Sequence, residues 1–223
     1  MTQGATSGTD LRAVRAGATR ERILDAAERL FAEHGVYSVS NRQISIAADQ
    51  GNNAAVGYHF GDKLDLIRAI VQRHFGSVEN LREQHVRAIG DSTDLRHWIG
   101  CLVLPLTEHL DALDDPTWFA RFNAQLTTYP ALRALIAEEA STAAVREVVD
   151  RVRRCTPDLS EAVRAERHDM ARHLITHVCA ERERAIADSA PTRRSTWNST
   201  ASGLIDAIVA IWHAPTSEPH RRT

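Results

Sequence analysis

Apolar residues recur along this chain at helical spacing, and no segment alternates apolar with polar in the β-branched run that a strand requires. Ile23, Ala27, Leu30 and Phe31 stand at i, i+4, i+7 and i+8, a single stripe on a helix that Thr19 can cap and Gly35 can stop. Ser40 and Gln43 have capping-box spacing and open a short helix through Ile44, Ala47 and Ala48. The polar turn Asp49-Gln50-Gly51-Asn52 leads to a third helix, Asn53 to Phe60, which Gly61-Asp62 ends. From Asp62 the period resumes in Leu64, Ile67, Ile70, Val71, Phe75, Val78, Leu81 and Val86, which predicts one long helix to about Ala88. Further helices are expected near 93–113, 116–128, 131–154, 160–187 and 195–213. Asp115-Pro116 reads as a cap followed by an N1 proline, and Ser160 as a cap after the breaker Pro157. Residues 1–18, rich in Gly, Thr and Ala, read as a flexible arm carrying Arg12 and Arg15, and 214–223 as a disordered tail.

The fold class expected from this pattern is all-α. A composition of 43% hydrophobic and 25% charged residues supports a buried core, and a net charge of -2 argues against wholesale coating by nucleic acid. Cys101, Cys155 and Cys179 are odd in number, far apart and free of any C-x-x-C pair, which argues against a disulfide framework or zinc knuckle and for a reducing compartment. No stretch approaches the roughly 20 apolar residues of a membrane span, and Met1 to Asp10 is polar without a signal-peptide core.

Three short helices within about 45 residues, the second and third joined by a Gly-containing turn, have the helix-turn-helix arrangement, whose third element can enter the major groove. Asn53 can pair with adenine, Ala54 and Ala55 allow close approach to base edges, and Tyr58 and His59 can reach phosphates. Asn52 and Arg42 flank that element. Val56 and Phe60, four apart, would hold it to the core.

The runs Thr19-Arg20-Glu21-Arg22-Ile23-Leu24-Asp25-Ala26-Ala27-Glu28-Arg29-Leu30-Phe31-Ala32-Glu33-His34-Gly35, Ser40-Asn41-Arg42-Gln43-Ile44 and Val56-Gly57-Tyr58-His59-Phe60-Gly61-Asp62-Lys63 resemble the DNA-binding domain of the tetracycline-repressor (TetR) family. The resemblance, over about a quarter of the chain, implies that Ser40 caps the second helix and touches phosphate, that Tyr58-His59-Phe60 ends the recognition helix, and that Lys63 contacts the DNA backbone. It further implies a helix-turn-helix domain over 19–62 and a helical ligand-binding and dimerisation domain over 63–213, about nine helices in all. The expected protein is a cytoplasmic, bacterial, nucleoid-associated homodimer that represses from a palindromic duplex operator until a small-molecule effector releases it. Neither a cofactor nor a membrane is expected.

In the last helix Asp206 is the sole charge between Gly203 and Trp212, so its apolar surface needs cover on several sides. A partner subunit is expected against Leu204, Ile208, Ile211 and Trp212, together with Met170, Leu174 and Val178 of the preceding helix. A pocket is expected from two faces, Trp98, Cys101, Leu102, Pro105 and His109 on one and Trp118, Phe122, Asn123, Leu126 and Tyr129 on the other, with Pro105 kinking its helix. The same large side chains equally make ordinary core. His168, His173 and His177 offer an alternative reading, a helical metal-binding protein or metalloenzyme, since two of them stand four apart. Against it, the sequence holds no H-E-x-x-H, and there is likewise no Walker loop, G-x-G-x-x-G or G-x-S-x-G, so no enzyme is expected.

Overall fold

The computed structural model describes residues 6–52, 54–192 and 194–216, with side chains from Ala13 onward, and every regular element among them is a helix. Helix α1 runs Thr6–His34. The arm expected over 1–18 is therefore helical from Thr6, although it is solvated over Ala13 to Ala18: Val14 is 69% exposed. Once Ile23, Leu24, Ala27 and Phe31 are packed, a nucleated helix extends backwards at little cost through Ala and Arg, without needing an apolar stripe of its own. Gly35 ends α1 at φ +85°, a conformation that suits a residue without Cβ, and its N–H returns to the Phe31 carbonyl.

Ser40 caps α2 (Asn41–Ala47) in a reciprocal box with Gln43. Helix α3 is Ala55–Phe60. Asp62 caps α4 (Lys63–Ile89) in a second reciprocal box, with Asp65. Phe31, Ile44, Val56, Ile67 and Ile70 are all buried and close the head around a core that is continuous with the body.

The body adds α5 (Leu95–Asp111), α6 (Phe119–Thr127), α7 (Pro130–Glu139), α8 (Ala143–Cys155), α9 (Glu161–Ala187) and α10 (Trp197–His213). The single helix expected over 131–154 is two. Leu132 and Leu135 would fall on the opposite side of one straight helix from Val148 and Val152, yet all four are buried. The chain breaks instead, and the Thr142 hydroxyl accepts the Val145 N–H to start α8. Nor does Asp115-Pro116 cap α6: it forms a cis peptide bond in the preceding loop. The start of α6 is held from a distance by the buried Glu183 carboxylate of α9, which accepts the N–H groups of Ala120 (3.0 Å) and Arg121 (2.9 Å) and Arg121 Nε (3.1 Å). A carboxylate there also meets the positive end of the helix dipole.

Helix α10 is covered within its own chain, by α5 and α9. Leu204, Ile208 and Trp212 are buried in one subunit, so the partner-facing role expected for these three is corrected: α5 and α9 cover them without a second chain. Arg167 of α9 donates to the carbonyls of Trp212 and Ala214, terminating α10. Met170 is 44% exposed, while Leu174, Val178 and Ile211 are half-buried. The tail expected over 214–223 lies outside the described residues from position 217 on. Among the described residues no helix is long and apolar enough to cross a membrane.

Candidate functional site

Helix α3 turns Ala54, Gly57 and Tyr58 outward, three positions of one helical face, and Ala55 and Val56 inward. Tyr58 is 85% exposed, and a Cβ at Gly57 would meet nothing within 4 Å, so this face presents bare backbone beside one aromatic arm. Ala55 belongs to the core, not to a base-reading surface, because the short helix needs it beside Val56 and Phe60 to stay docked. Asn52 holds the start of α3, its Oδ1 accepting the Ala54 N–H at 2.9 Å. Asn53 lies outside the described residues. Ser40 and Arg42 are exposed on the neighbouring helix, and half-buried His59 has its ring edge-on to Tyr58. Arg20 of α1 places its guanidinium 4.9 Å from the Phe60 ring centre.

Lys63, expected at the DNA backbone, makes its contacts within the protein. Its ammonium is half-buried and donates to the Val39 carbonyl at 2.6 Å and the Val36 carbonyl at 3.3 Å, tying the α1–α2 connection to the start of α4. Lys63→Ala is accordingly expected to destabilise the protein by about 1 to 2 kcal/mol, the net worth of charge-assisted bonds plus two stranded carbonyls. Thermal unfolding checks this; unchanged stability with weakened DNA binding would return Lys63 to the phosphate role.

A cavity of about 930 Å³ lies among α4 to α9. Its apolar wall includes Phe75, Val78, Leu102, Leu106, Ile136 and Ile175, and its polar wall Glu79, Arg82, Asn123, Arg133, His168 and Arg172. Of the ten expected pocket residues, Leu102 and Asn123 line it. Trp98, Cys101, Pro105, His109, Phe122 and Leu126 are buried in the core, Trp118 packs half-buried against it, and Tyr129 sits exposed and edge-on to Tyr37 at 4.5 Å. The face of α5 that meets the cavity is the smaller one, Leu102 and Leu106, because the bulky side chains on its other faces fill the space between helices. The contributions of α4 and α9 escaped the sequence reading, since nothing in their periodicity separates a cavity wall from a packed one.

Pro105 has a specific consequence at this wall. Lacking an N–H, it leaves the Cys101 carbonyl without its helical partner. Arg82 of α4 donates to that carbonyl and, through Nε, to Glu79 at 3.2 Å. Cys101 and Cys179 are free thiols pushed by burial to about 11 and about 12, which leaves them protonated and unreactive. His173 and His177 stack at 5.9 Å, exposed on α9, whereas His168 faces the cavity. Among the described residues no three His, Cys, Asp or Glu side chains are grouped to hold a metal ion.

Residues 23–70 match the family described as bacterial regulatory proteins, tetR family, and residues 100–210 match the tetracyclin repressor-like C-terminal domain. The chain belongs to the TetR family. It is thus a DNA-binding transcriptional regulator and not an enzyme. Among solved structures it is similar to a Mesorhizobium loti MAFF303099 protein, assigned to the TetR-family transcriptional regulators and determined at 1.54 Å. That protein shares 16% identity, with 88% of this chain and 98% of the other covered and a TM-score of 0.49. No curated protein matches the chain.

In this TetR-family regulator the head and body meet at a buried polar hub. Glu28 of α1 accepts Arg73 and His74 of α4, the latter at 2.9 Å, and Arg73 also reaches Asp25 at 2.6 Å. The other ring nitrogen of His74 lies 2.9 Å from His109 Nε2 of α5, and its ring stacks on Phe119 of α6 at 3.9 Å. Burial, then the neighbouring His74, lowers His109 to about 4. Burial alone would raise Glu28, but the bonds and charges of His74 and Arg73 outweigh it and hold the carboxyl below its ordinary range. Phe75, next in sequence to His74, lines the cavity and meets Phe119 edge-on at 6.3 Å.

Proposed function

We propose that this regulator is a ligand-responsive homodimer, a repressor that leaves a palindromic operator when a small molecule fills the cavity among α4 to α9. The observation that carries the reading is the double duty of α4. Its first turn is bound to the head through Lys63, its middle presents Phe75 and Glu79 to the cavity, and the residues between them, Arg73 and His74, grip α1. A ligand that favours one setting of this rod must weaken DNA binding by the factor with which DNA weakens the ligand.

In this reading the head ends at Asp62 and the body follows from Lys63 to His213. Ser40, Arg42, Ala54, Tyr58 and His59 face the duplex, and the outer faces of α9 and α10, including Met170 and Ile211, meet the second subunit. The test is Tyr58→Ala on duplexes that the protein itself selects from a random pool. Because Tyr58 is so exposed, its loss leaves the fold intact. Affinity is expected to fall about tenfold, the worth of one phosphate or base-edge contact. Affinity equal to wild type would remove α3 from the DNA interface and with it the proposal.

A further inference from the structure

Three residues on three walls of the cavity each carry a buried polar atom without a hydrogen-bond partner: Glu79 Oε1 on α4, Asn123 Oδ1 on α6 and Arg172 Nη1 on α9. One further polar atom of each charged residue is already committed. Glu79 Oε2 holds Arg82 at 3.2 Å, and Arg172 Nη2 holds Asp169 at 3.0 Å. Orphaned buried groups are rare in folded proteins because each forfeits its hydration with no return. Among the described residues seven side chains carry such an atom, and the three that line this cavity comprise two acceptors and one donor, the set that a ligand's polar end would complete.

The charge of the lining narrows the ligand further. Glu79, Glu139 and Asp169 are balanced by Arg82, Arg133 and Arg172, and the three carboxylates are paired: Glu79 with Arg82, Asp169 with Arg172, and Glu139 with Arg68 at 3.3 Å. A carboxylate ligand would bring a negative charge beside these acids, and a quaternary ammonium would bring a positive one with no N–H or O–H for the orphaned acceptors. A neutral group that both donates and accepts, an amide or a hydroxyl, meets both kinds of orphan without upsetting the balance. The rest of the wall, Phe75, Leu102, Leu106 and Ile175 among it, is apolar.

We infer that the effector is a net-uncharged amphiphile: an apolar body ending in an amide or hydroxyl that takes up the free valences of Glu79, Asn123 and Arg172. This rests on the cavity being the effector site. The experiment titrates the full-length protein by calorimetry with decanamide, decanol, decanoate and decyltrimethylammonium, which share one tail and differ in head group. Decanamide and decanol are expected to bind at least tenfold more tightly than either charged analogue. Asn123→Leu and Arg172→Met should remove that preference while leaving tail binding in place. Tighter binding of decanoate or decyltrimethylammonium, an unchanged preference in both variants, or no binding by any of the four overturns the inference. Gly76→Phe separates it from the reading beneath: Gly76 lines the cavity and a Cβ there meets nothing within 4 Å, so the variant is expected to fold, which its unfolding curve checks, with the ring obstructing the cavity. Decanamide binding that survives Gly76→Phe means that the cavity is not the site at all, whereas binding lost in Gly76→Phe with a charged head preferred in wild type keeps the site and discards the chemistry.

Discussion

Glu28→Ala is expected to destabilise the protein by about 3 to 5 kcal/mol, the usual penalty for removing one member of a buried charged network while its partners stay behind. Arg73 and His74 would lose the carboxylate that both of them bind, and His74 is itself buried among Phe119, His109 and α1. Asp25 still reaches Arg73, so the cost belongs at the lower end if that exposed carboxylate compensates. Urea unfolding at neutral pH checks the magnitude, and a loss under about 1 kcal/mol would mean that the hub is not a buried network in solution.

The same hub fixes the acid side of the stability profile. The folded state holds His109 near 4 against an ordinary 6.5, so between these values the unfolded chain binds the extra proton. Stability from this source is complete above 6.5 and drains as pH falls towards 4, by roughly 3 kcal/mol at most. Glu28, held below its ordinary 4.5, adds a second loss in the same direction but only beneath that value. Glu28, His74, Arg73 and, through Arg73, Asp25 and Glu21 are the ionisable groups at this centre. His109→Gln should flatten the upper part of the limb, and a wild-type profile that is level from 6.5 to 4 would count against the buried imidazole pair.

Operator affinity is expected to fall by about a thousandfold when salt rises from about 50 to about 200 mM. With Lys63 bonded to carbonyls, the grip on phosphate is expected to rest on exposed arginines such as Arg15, Arg22 and Arg42. About three per subunit, six in the proposed dimer, would displace enough counterions for that slope. Fluorescence anisotropy across this range measures it, and a response under tenfold would mean that the arginines do not lie along the duplex.

The head was legible from sequence because its signals are local. Ser40 with Gln43 and Gly35 after α1 each act on a neighbouring backbone group, and each appears where the residues put it. The true start of α1 was not, since a solvated extension leaves no apolar mark. The body obeyed its periods but hid its purpose. Trp98 and Leu102 share a helix, yet one fills the core and the other faces space. That difference depends on what the neighbouring helices leave unfilled. The apolar girth of α10 likewise required cover without saying from where, and α5 and α9 supply it. Lys63 matched its motif in identity while taking carbonyls as partners, which only the folded geometry could reveal.

Helix α4 also has the proportions of a lever. At 1.5 Å per residue, His74 stands about 16 Å from Lys63 at the head and about 7 to 12 Å from Glu79 and Arg82 beyond it. If the hub is the fulcrum, a push on the cavity side of Arg82 or Glu79 swings Lys63 the opposite way, magnified roughly one and a half to two times by the unequal arms. A ligand that shifts its contacts by about 1 Å would then displace each recognition helix by nearly twice as much. The twofold of a dimer would double that change in their separation. The mechanical advantage is set by where along the helix the histidine sits, so sliding the hub one turn towards the head would shorten the working arm and blunt the response.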